Sequence, residues 1–185
     1  MHAEAITFRV AAPEDAGMLA ALSARSFREA YQAVWEDPGL SDYISRAFTP
    51  GQIGTELADP NATFILLSRD SQPAGYAKLR RDHNPPGLDG AAAVQIQRFY
   101  LLSAHYGRGL GDHLMEHCLA AARQQGFATV WLAVWPENTR AVKFYQRWGF
   151  AVTGSYPFYH GNEVAQDWLM RKEIMGDRHE RRPEE

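Results

Sequence analysis

The stretch from Ala92 to Val134 constrains this chain most, because it switches period twice. Val94 and Ile96 alternate with Gln95 and Gln97, and Phe99 to Leu102 are then apolar on both faces, so Ala92 to Leu102 reads as a long, central strand. A turn rich in glycine follows. Leu110 to Gln125 then carries helical spacing, stopped by Gly126, and Thr129 to Val134 is a second strand, broken by Pro136. Strand, helix and strand at this spacing make a βαβ unit with an expected right-handed crossover.

The flanking elements extend this core. Ile6 to Val10 reads as a strand, and Pro13, Glu14 and Asp15 open a helix running through Ser23, with acidic residues where the helix dipole favours them. Tyr31 to Leu40 reads as an irregular connection, with Ser41 capping one short helix and Thr49 before Pro50 opening another that ends before Asp59. These helices are placed to shape a substrate entrance. Thr63 to Ser68 and Gly75 to Arg81 are separated by RDSQPA, which is hairpin spacing. Arg80 to Gly90 is a loop rich in proline and glycine. A helix from Thr139 to Trp148 and strands near Phe150 to Tyr156 and Val164 to Lys172 complete an α/β chain with a mixed sheet. One domain is expected over residues 1–175, followed by a polar, flexible tail, Gly176 to Glu185.

Composition narrows the function classes. The formal net charge of −3, with 19 Lys and Arg spread along the chain, gives no basic stripe for nucleic acid and mildly favours a cationic substrate. No apolar run approaches the roughly 18 residues of a membrane span. The one cysteine, Cys118, forms no internal disulfide, and no basic segment leads into an apolar run at the N-terminus, so a cytoplasmic location is expected.

Tyr106-Gly107-Arg108-Gly109-Leu110-Gly111 lies between strand and helix, where free backbone N–H groups and the helix dipole suit a phosphate; the alternative is a tight turn without ligand. A dinucleotide-binding reading is poorer, because Asp112 occupies the last glycine position, and no Gly-Lys-Ser/Thr exists for a P-loop. This loop, with FYLLSAHYGRGLGDHLM around it and VWLAVWPENTRAVKFYQRWGF downstream, resembles the GNAT superfamily of N-acetyltransferases, whose phosphate loop reads Gln/Arg-x-x-Gly-x-Gly/Ala. Tyr106 departs from the first position. Gly154 to Met170 resembles the closing strands, so the likeness spans Ile6 to Ile174 and is greatest to small-amine acetyltransferases of the spermidine/spermine type.

The resemblance implies a mixed, mostly antiparallel sheet with one splayed parallel pair, flanked by helices, and acetyl-CoA as co-substrate without a metal. It implies that amides from Gly107 to Gly111, including Leu110, hold the pyrophosphate, with Arg108 supplying charge, Tyr106 beside it and Asn138 adding a contact. It assigns the Leu101 amide to the thioester carbonyl and the Tyr145 phenol to the departing thiolate. Each residue has a plain structural reading as well: Leu101 as an ordinary ladder residue, Asn138 as a helix cap, Tyr145 as a core aromatic at helical spacing with Ala141, Phe144 and Trp148. Direct transfer to a small-molecule amine follows, with a homodimer left open.

The base that frees the amine is unassigned. Relatives place a glutamate where this chain has Gln97, and Asp82, His83 and Glu29 are candidates elsewhere. Trp135, Tyr156, Phe158, Tyr159 and Trp168 are candidates for core packing or an acceptor pocket that attracts ammonium by cation–π contact. Cys118, in an apolar stripe with Leu110 and Leu114, is expected to be a buried, inert thiol. Two alternatives complete the reading: a coenzyme A sensor without catalysis, and zinc hydrolysis through His113-Leu114-Met115-Glu116-His117, an H-x-x-E-H motif without an evident third ligand.

Overall fold

The computed structural model describes residues 5–35, 38–88, 92–160 and 163–174; the tail expected at 176–185 lies outside them. In chain order the elements are β1 (Ile6–Val10), a 3-10 turn (Pro13–Asp15), α1 (Ala16–Tyr31), α2 (Gly39–Ala47), α3 (Pro50–Ala58), β2 (Ala62–Arg69) and β3 (Gln72–Arg80). There follow β4 (Ala93–Leu101), a 3-10 turn (Ser103–His105), α4 (Leu110–Gln124), β5 (Thr129–Val134), α5 (Thr139–Arg147), β6 (Ala151–His160) and β7 (Glu163–Glu173). The strands form one mixed sheet, β1-β2-β3-β4-β5-β7-β6, in which β4 and β5 are parallel and every other neighbouring pair is antiparallel.

Each face of the sheet has its own core. On one side, Ile65, Leu67, Leu79, Val94, Ile96, Val130 and Leu132 meet the α4 stripe Leu110, Leu114, Met115, Cys118 and Leu119 and the α5 residues Val142 and Tyr145. On the other, Phe64, Leu66 and Tyr76 meet Leu19, Leu22 and Phe27 of α1, Leu40 and Ile44 of α2 and Ile53 of α3. Full burial of side chains such as Leu19 and Ile53 stabilises by about 1.5 to 3 kcal/mol each. Among the described residues no helix is long and apolar enough to cross a membrane.

Three local expectations are corrected. The β2–β3 connection is not six residues long: both strands extend until only Asp70 and Ser71 turn the chain, at φ 50° and 64°, the positive-φ pair that tight hairpins favour. Pro73 fits because the register shifts beside it. Helix α1 runs on past Ser23, since Phe27 continues its buried stripe and Ser23 and Ser26 are small enough to lie against the sheet. Helix α2 begins at Gly39 with Pro38 at its N-cap, so Ser41 lies inside it and its hydroxyl accepts a hydrogen bond from Arg28 Nη2 at 3.1 Å. Proline is already compatible with the start of a helix, so the chain winds before reaching Ser41. Thr49 caps α3 as expected, its hydroxyl accepting the Gln52 N–H at 3.0 Å.

The start of α1 is tied to the edge of the sheet by Asp15. Its carboxylate accepts both terminal nitrogens of Arg9, at 2.6 and 2.7 Å, and the Ala12 N–H at 2.7 Å. The Arg9 hydrogen bonds lead in pulling its pKa down to about 2. A depressed carboxylate contributes stability above its unfolded pKa and loses it as pH falls through the folded value. Asp15→Asn is therefore expected to lower the melting temperature by about 2 to 4 °C at neutral pH, a deficit expected to shrink in calorimetric scans as pH falls from about 4 towards 2.

Candidate functional site

The parallel pair is short: Ala93, Val94 and Gln95 pair with Thr129, Val130 and Trp131, and the two strands then part. β5 continues along β7 through Val134, while β4 continues along β3 to Leu101. β4 also contains an irregularity. Leu79 pairs with Ile96 and Lys78 with Arg98, so Gln97 is an extra residue. This β-bulge explains the broken alternation of the sequence: Val94 and Ile96, then Phe99 and Leu101, all face the same core.

The bulge also decides where the amides point. Leu102 N–H donates to the Ala74 carbonyl at 2.9 Å, and Gly75 and Leu101 are register partners. Alternate residues of an antiparallel ladder direct their N–H groups to opposite edges, so the Phe99 and Leu101 amides face the gap that β5 has left. Gly75 permits this arrangement: a Cβ there would lie 2.3 Å from Leu101 Cδ2 and 2.6 Å from the Tyr100 carbonyl oxygen.

A cleft of about 1750 Å³ runs through the gap. At one end lies the Gly107–Gly111 loop. Gly107 and Gly109 have φ of 71° and 76°, and a Cβ on either would meet open space. Tyr106 N–H is taken by Ser103 and Asp112 N–H by Gly109, but among the described residues no backbone acceptor takes the N–H groups from Gly107 to Gly111. They are a cradle of donors at the start of α4, with Leu110 anchoring the loop in the core. Arg140 caps the cradle, its guanidinium 3.8 Å from the Tyr106 ring centroid. Lys143, one turn on, also lines the cleft, whereas the exposed Arg108 does not. Sequence reasoning missed Arg140 and Lys143; their signal was the basic spacing Arg140, Lys143, Arg147 on one helix. Arg147 itself is held by Asp112 at 2.9 Å. Asn138 lines the cleft and also caps α5, accepting the Ala141 N–H at 3.2 Å.

Tyr145 sits at the middle of the cleft wall, 9% exposed, with Phe99, Phe144 and Phe150 around its ring at 6.2, 5.5 and 5.9 Å. Burial pushes its phenol well above the ordinary range, so it keeps its proton at any physiological pH. Its hydroxyl has no hydrogen-bond partner among the described residues.

The other end of the cleft is aromatic. Phe27 lies 4.6 Å from Tyr31, 5.0 Å from Tyr43 and 5.4 Å from Phe48, and Trp35 lies 5.5 Å from Tyr43. Tyr156, Phe158, Tyr159 and Trp135 complete the wall, while Trp168 is outside it. The helical contribution was legible only as aromatic density between Phe27 and Phe48. The loop after β3 closes the side: Asn84 Nδ2 donates to the Ala93 carbonyl at 3.3 Å, Asn84 Oδ1 accepts from Trp131 Nε1 at 2.9 Å, and Leu88 is buried with Ala93 and Trp131. That anchoring brings His83 to the cleft, 6.5 Å from Tyr156.

The remaining base candidates separate. Glu29 is committed to the Ser103 N–H at 2.6 Å and to Arg25 at 2.8 Å, and Asp82 to Arg80 at 2.8 Å; neither lines the cleft. Gln97 does line it, and its Oε1, like that of Gln95, is buried without a partner among the described residues. The zinc motif is dispersed: the His117 ring stacks on Phe8 at 3.7 Å with Nδ1 on the His113 carbonyl, and His113 Nδ1 lies 3.4 Å from Glu116. Among the described residues no three His, Cys, Asp or Glu side chains converge. Cys118 is fully buried, and burial pushes its thiol far up.

Residues 22–150 match the model of the acetyltransferase (GNAT) family. An uncharacterized N-acetyltransferase of Mycobacterium tuberculosis is 29% identical over 161 residues, covering 87% of this chain and 99% of that protein. Streptothricin acetyltransferase of Streptomyces lavendulae is 31% identical over 122 residues, 65% of this chain and 57% of that protein. Among solved structures, the PaiA N-acetyltransferase of Thermoplasma acidophilum in complex with coenzyme A superposes with a TM-score of 0.75 at 18% identity, over 91% of this chain and 99% of that one. YncA of Salmonella typhimurium, solved with acetyl-CoA, gives 0.64 at 17% identity, over 94% and 96%.

The close approach at Gly75 is directly testable. Gly75→Ala is expected to cost about 1 to 3 kcal/mol in denaturant unfolding, as overpacking does. It should also move the amide resonances of Phe99 and Leu101, while those of α1 stay in place.

Proposed function

Because this chain belongs to the GNAT family of acetyltransferases, we propose that it transfers the acetyl group of acetyl-CoA directly to the primary amine of a small cationic molecule. The observation that carries this reading is the pair of amides at Phe99 and Leu101, turned into a cleft that has a donor cradle at one end and an aromatic wall at the other. The residues fit the co-substrate. An open, left-handed Gly107 and Gly109 let the main chain approach a pyrophosphate, and Arg140 and Lys143 supply positive charge. Tyr106, Arg108, Leu110, Gly111 and Asn138 complete the proposed binding set.

Acetyl-CoA supplies the acetyl group as a thioester. The Leu101 N–H donates to the thioester carbonyl, where negative charge grows during attack; loss of such a donor elsewhere costs about 2.7 to 4 kcal/mol. Tyr145 presents a protonated, unpartnered hydroxyl in the same cleft and hydrogen-bonds the sulfur as the C–S bond breaks, passing a proton to it and regaining the one that the amine nitrogen sheds as the amide forms, so that coenzyme A leaves as the thiol. Phe27, Tyr31, Trp35 and Tyr43 offer ring faces to an ammonium, each worth about 0.5 to 2 kcal/mol, while Asp42 at that end of the cleft is already paired with Arg46. Spermidine- and spermine-like amines are the first members of the acceptor class to try. In this reading the catalytic unit is residues 1–175, and the single buried cysteine suits a cytoplasmic setting.

Calorimetric titration with acetyl-CoA, followed by turnover across a panel of amines, tests this function. One-to-one binding and turnover are expected, and Tyr145→Phe should lower kcat by about 100-fold with little change in acetyl-CoA affinity. Full turnover by that variant with chemistry rate-limiting removes Tyr145 from the mechanism. Tight binding without turnover on any amine would make the protein a coenzyme A sensor.

A further inference from the structure

Lys78 and Arg98 face each other across β3 and β4 as register partners, immediately beside the bulge at Gln97. Like charges directly opposite in a ladder repel, and this pair is withdrawn from water, with side chains 4% and 14% exposed. One carboxylate answers both. Glu56, reaching down from α3, accepts Arg98 Nη1 and Nη2 at 2.7 and 3.0 Å and Lys78 Nζ at 2.8 Å. Burial, with the Arg98 charge behind it, presses the Lys78 pKa down to about 8, and Arg98 and Lys78 hold Glu56 low against the burial that would raise it. Arg80, itself paired with Asp82, and Asp59 stand at the outer rim of this cluster. Gln97 and Arg98 are also shared walls, lining both the main cleft and a second cavity of about 640 Å³ with Gln52, Thr55 and Glu56.

The register shows what the cluster controls. With the extra residue in place, Ala74 receives the Leu102 N–H and Leu101 is left facing the gap. Without it, every later residue of β4 would slip by one, Leu101 would become the partner of Ala74, and its N–H would turn to β3. Arg98 and Tyr100 would at the same time be driven into the α4 face. The bulge therefore decides whether the Leu101 amide is available, and the ion cluster sits on the register pair next to it.

We propose that Glu56 is a positioning residue for acetyl transfer: by neutralising the opposed Lys78 and Arg98 it holds the Gln97 bulge and so keeps the Leu101 amide turned into the cleft. The catalytic part of this inference rests on the function proposed above; the structural part does not. Glu56→Gln keeps the shape and removes the charge. It is expected to lower kcat by about tenfold or more with the acetyl-CoA KM within about threefold, and to shift the amide resonances of Phe99 and Leu101 in the ligand-free protein. Adding Lys78→Met removes one of the two opposed cations, and with it their repulsion, and should return those resonances towards the parent and recover most of kcat, which a packing role for Glu56 would not do.

A Glu56→Gln variant with parent-like kcat and unmoved Leu101 and Phe99 resonances overturns the proposal, as does a kcat loss that Lys78→Met leaves unchanged. Should the single variant fail to fold, the double variant decides: parent-like resonances support the clamp, and failure of the double variant to fold overturns it. Parent protein that lacks turnover while the resonances respond as described would sink the acetyl-transfer reading and leave the clamp standing.

Discussion

A backbone amide donates its hydrogen bond in one direction, and in this protein a single inserted residue chooses that direction for the end of β4. The bulge at Gln97 changes which residues face β3, so that Tyr100 and Leu102 satisfy the ladder while Phe99 and Leu101 are turned to the opposite edge. That edge is open because β5 leaves β4 after Gln95 and follows β7 instead. These two donors have no strand partner at that edge and need another acceptor, and the cleft is where a bound carbonyl meets that need. Gly75 and Gly111 let neighbouring backbone lie close against Leu101, so the donor is held before anything binds.

Charge is distributed unevenly along the cleft. At the α4 end the cradle of amides, the start of the helix and Arg140 and Lys143 make a positive field suited to phosphate oxygens. At the aromatic end the ions pair with one another: Arg46 with Asp42, and Arg98 with Glu56. Recognition there falls to ring faces and to the shape left between α1, α2, β6 and the loop pinned by Asn84. Tyr145 lies between the two regions, its ring in the core and its hydroxyl on the cleft, which suits a proposed proton donor that serves both.

Much of this was legible in the sequence, and the exceptions have physical reasons. The βαβ unit, the Gly107–Gly111 turn and the Thr49 and Asn138 caps each follow from local chemistry, and each stands where the spacing placed it. The Gln97 bulge was visible only as broken alternation, because a residue's pairing depends on a strand 20 positions away. Likewise the basic spacing Arg140, Lys143, Arg147 marks a charged helix face but not that Arg140 reaches Tyr106 in the loop, so charge was assigned to Arg108 within the loop instead. The aromatic wall was assigned to late residues; half of it comes from Phe27 to Phe48, where α1 and α2 pack over the sheet.

The most direct test of the account is the infrared carbonyl stretch of acetyl-CoA carrying ¹³C at the thioester carbon, bound to the unaltered protein without an amine. Donation from the Leu101 amide polarises that carbonyl, so the account predicts a band moved to lower wavenumber than in free acetyl-CoA. A bound thioester with the frequency it has in water or higher would contradict it, because the amide that the bulge exposes would then be making no stronger bond than solvent does.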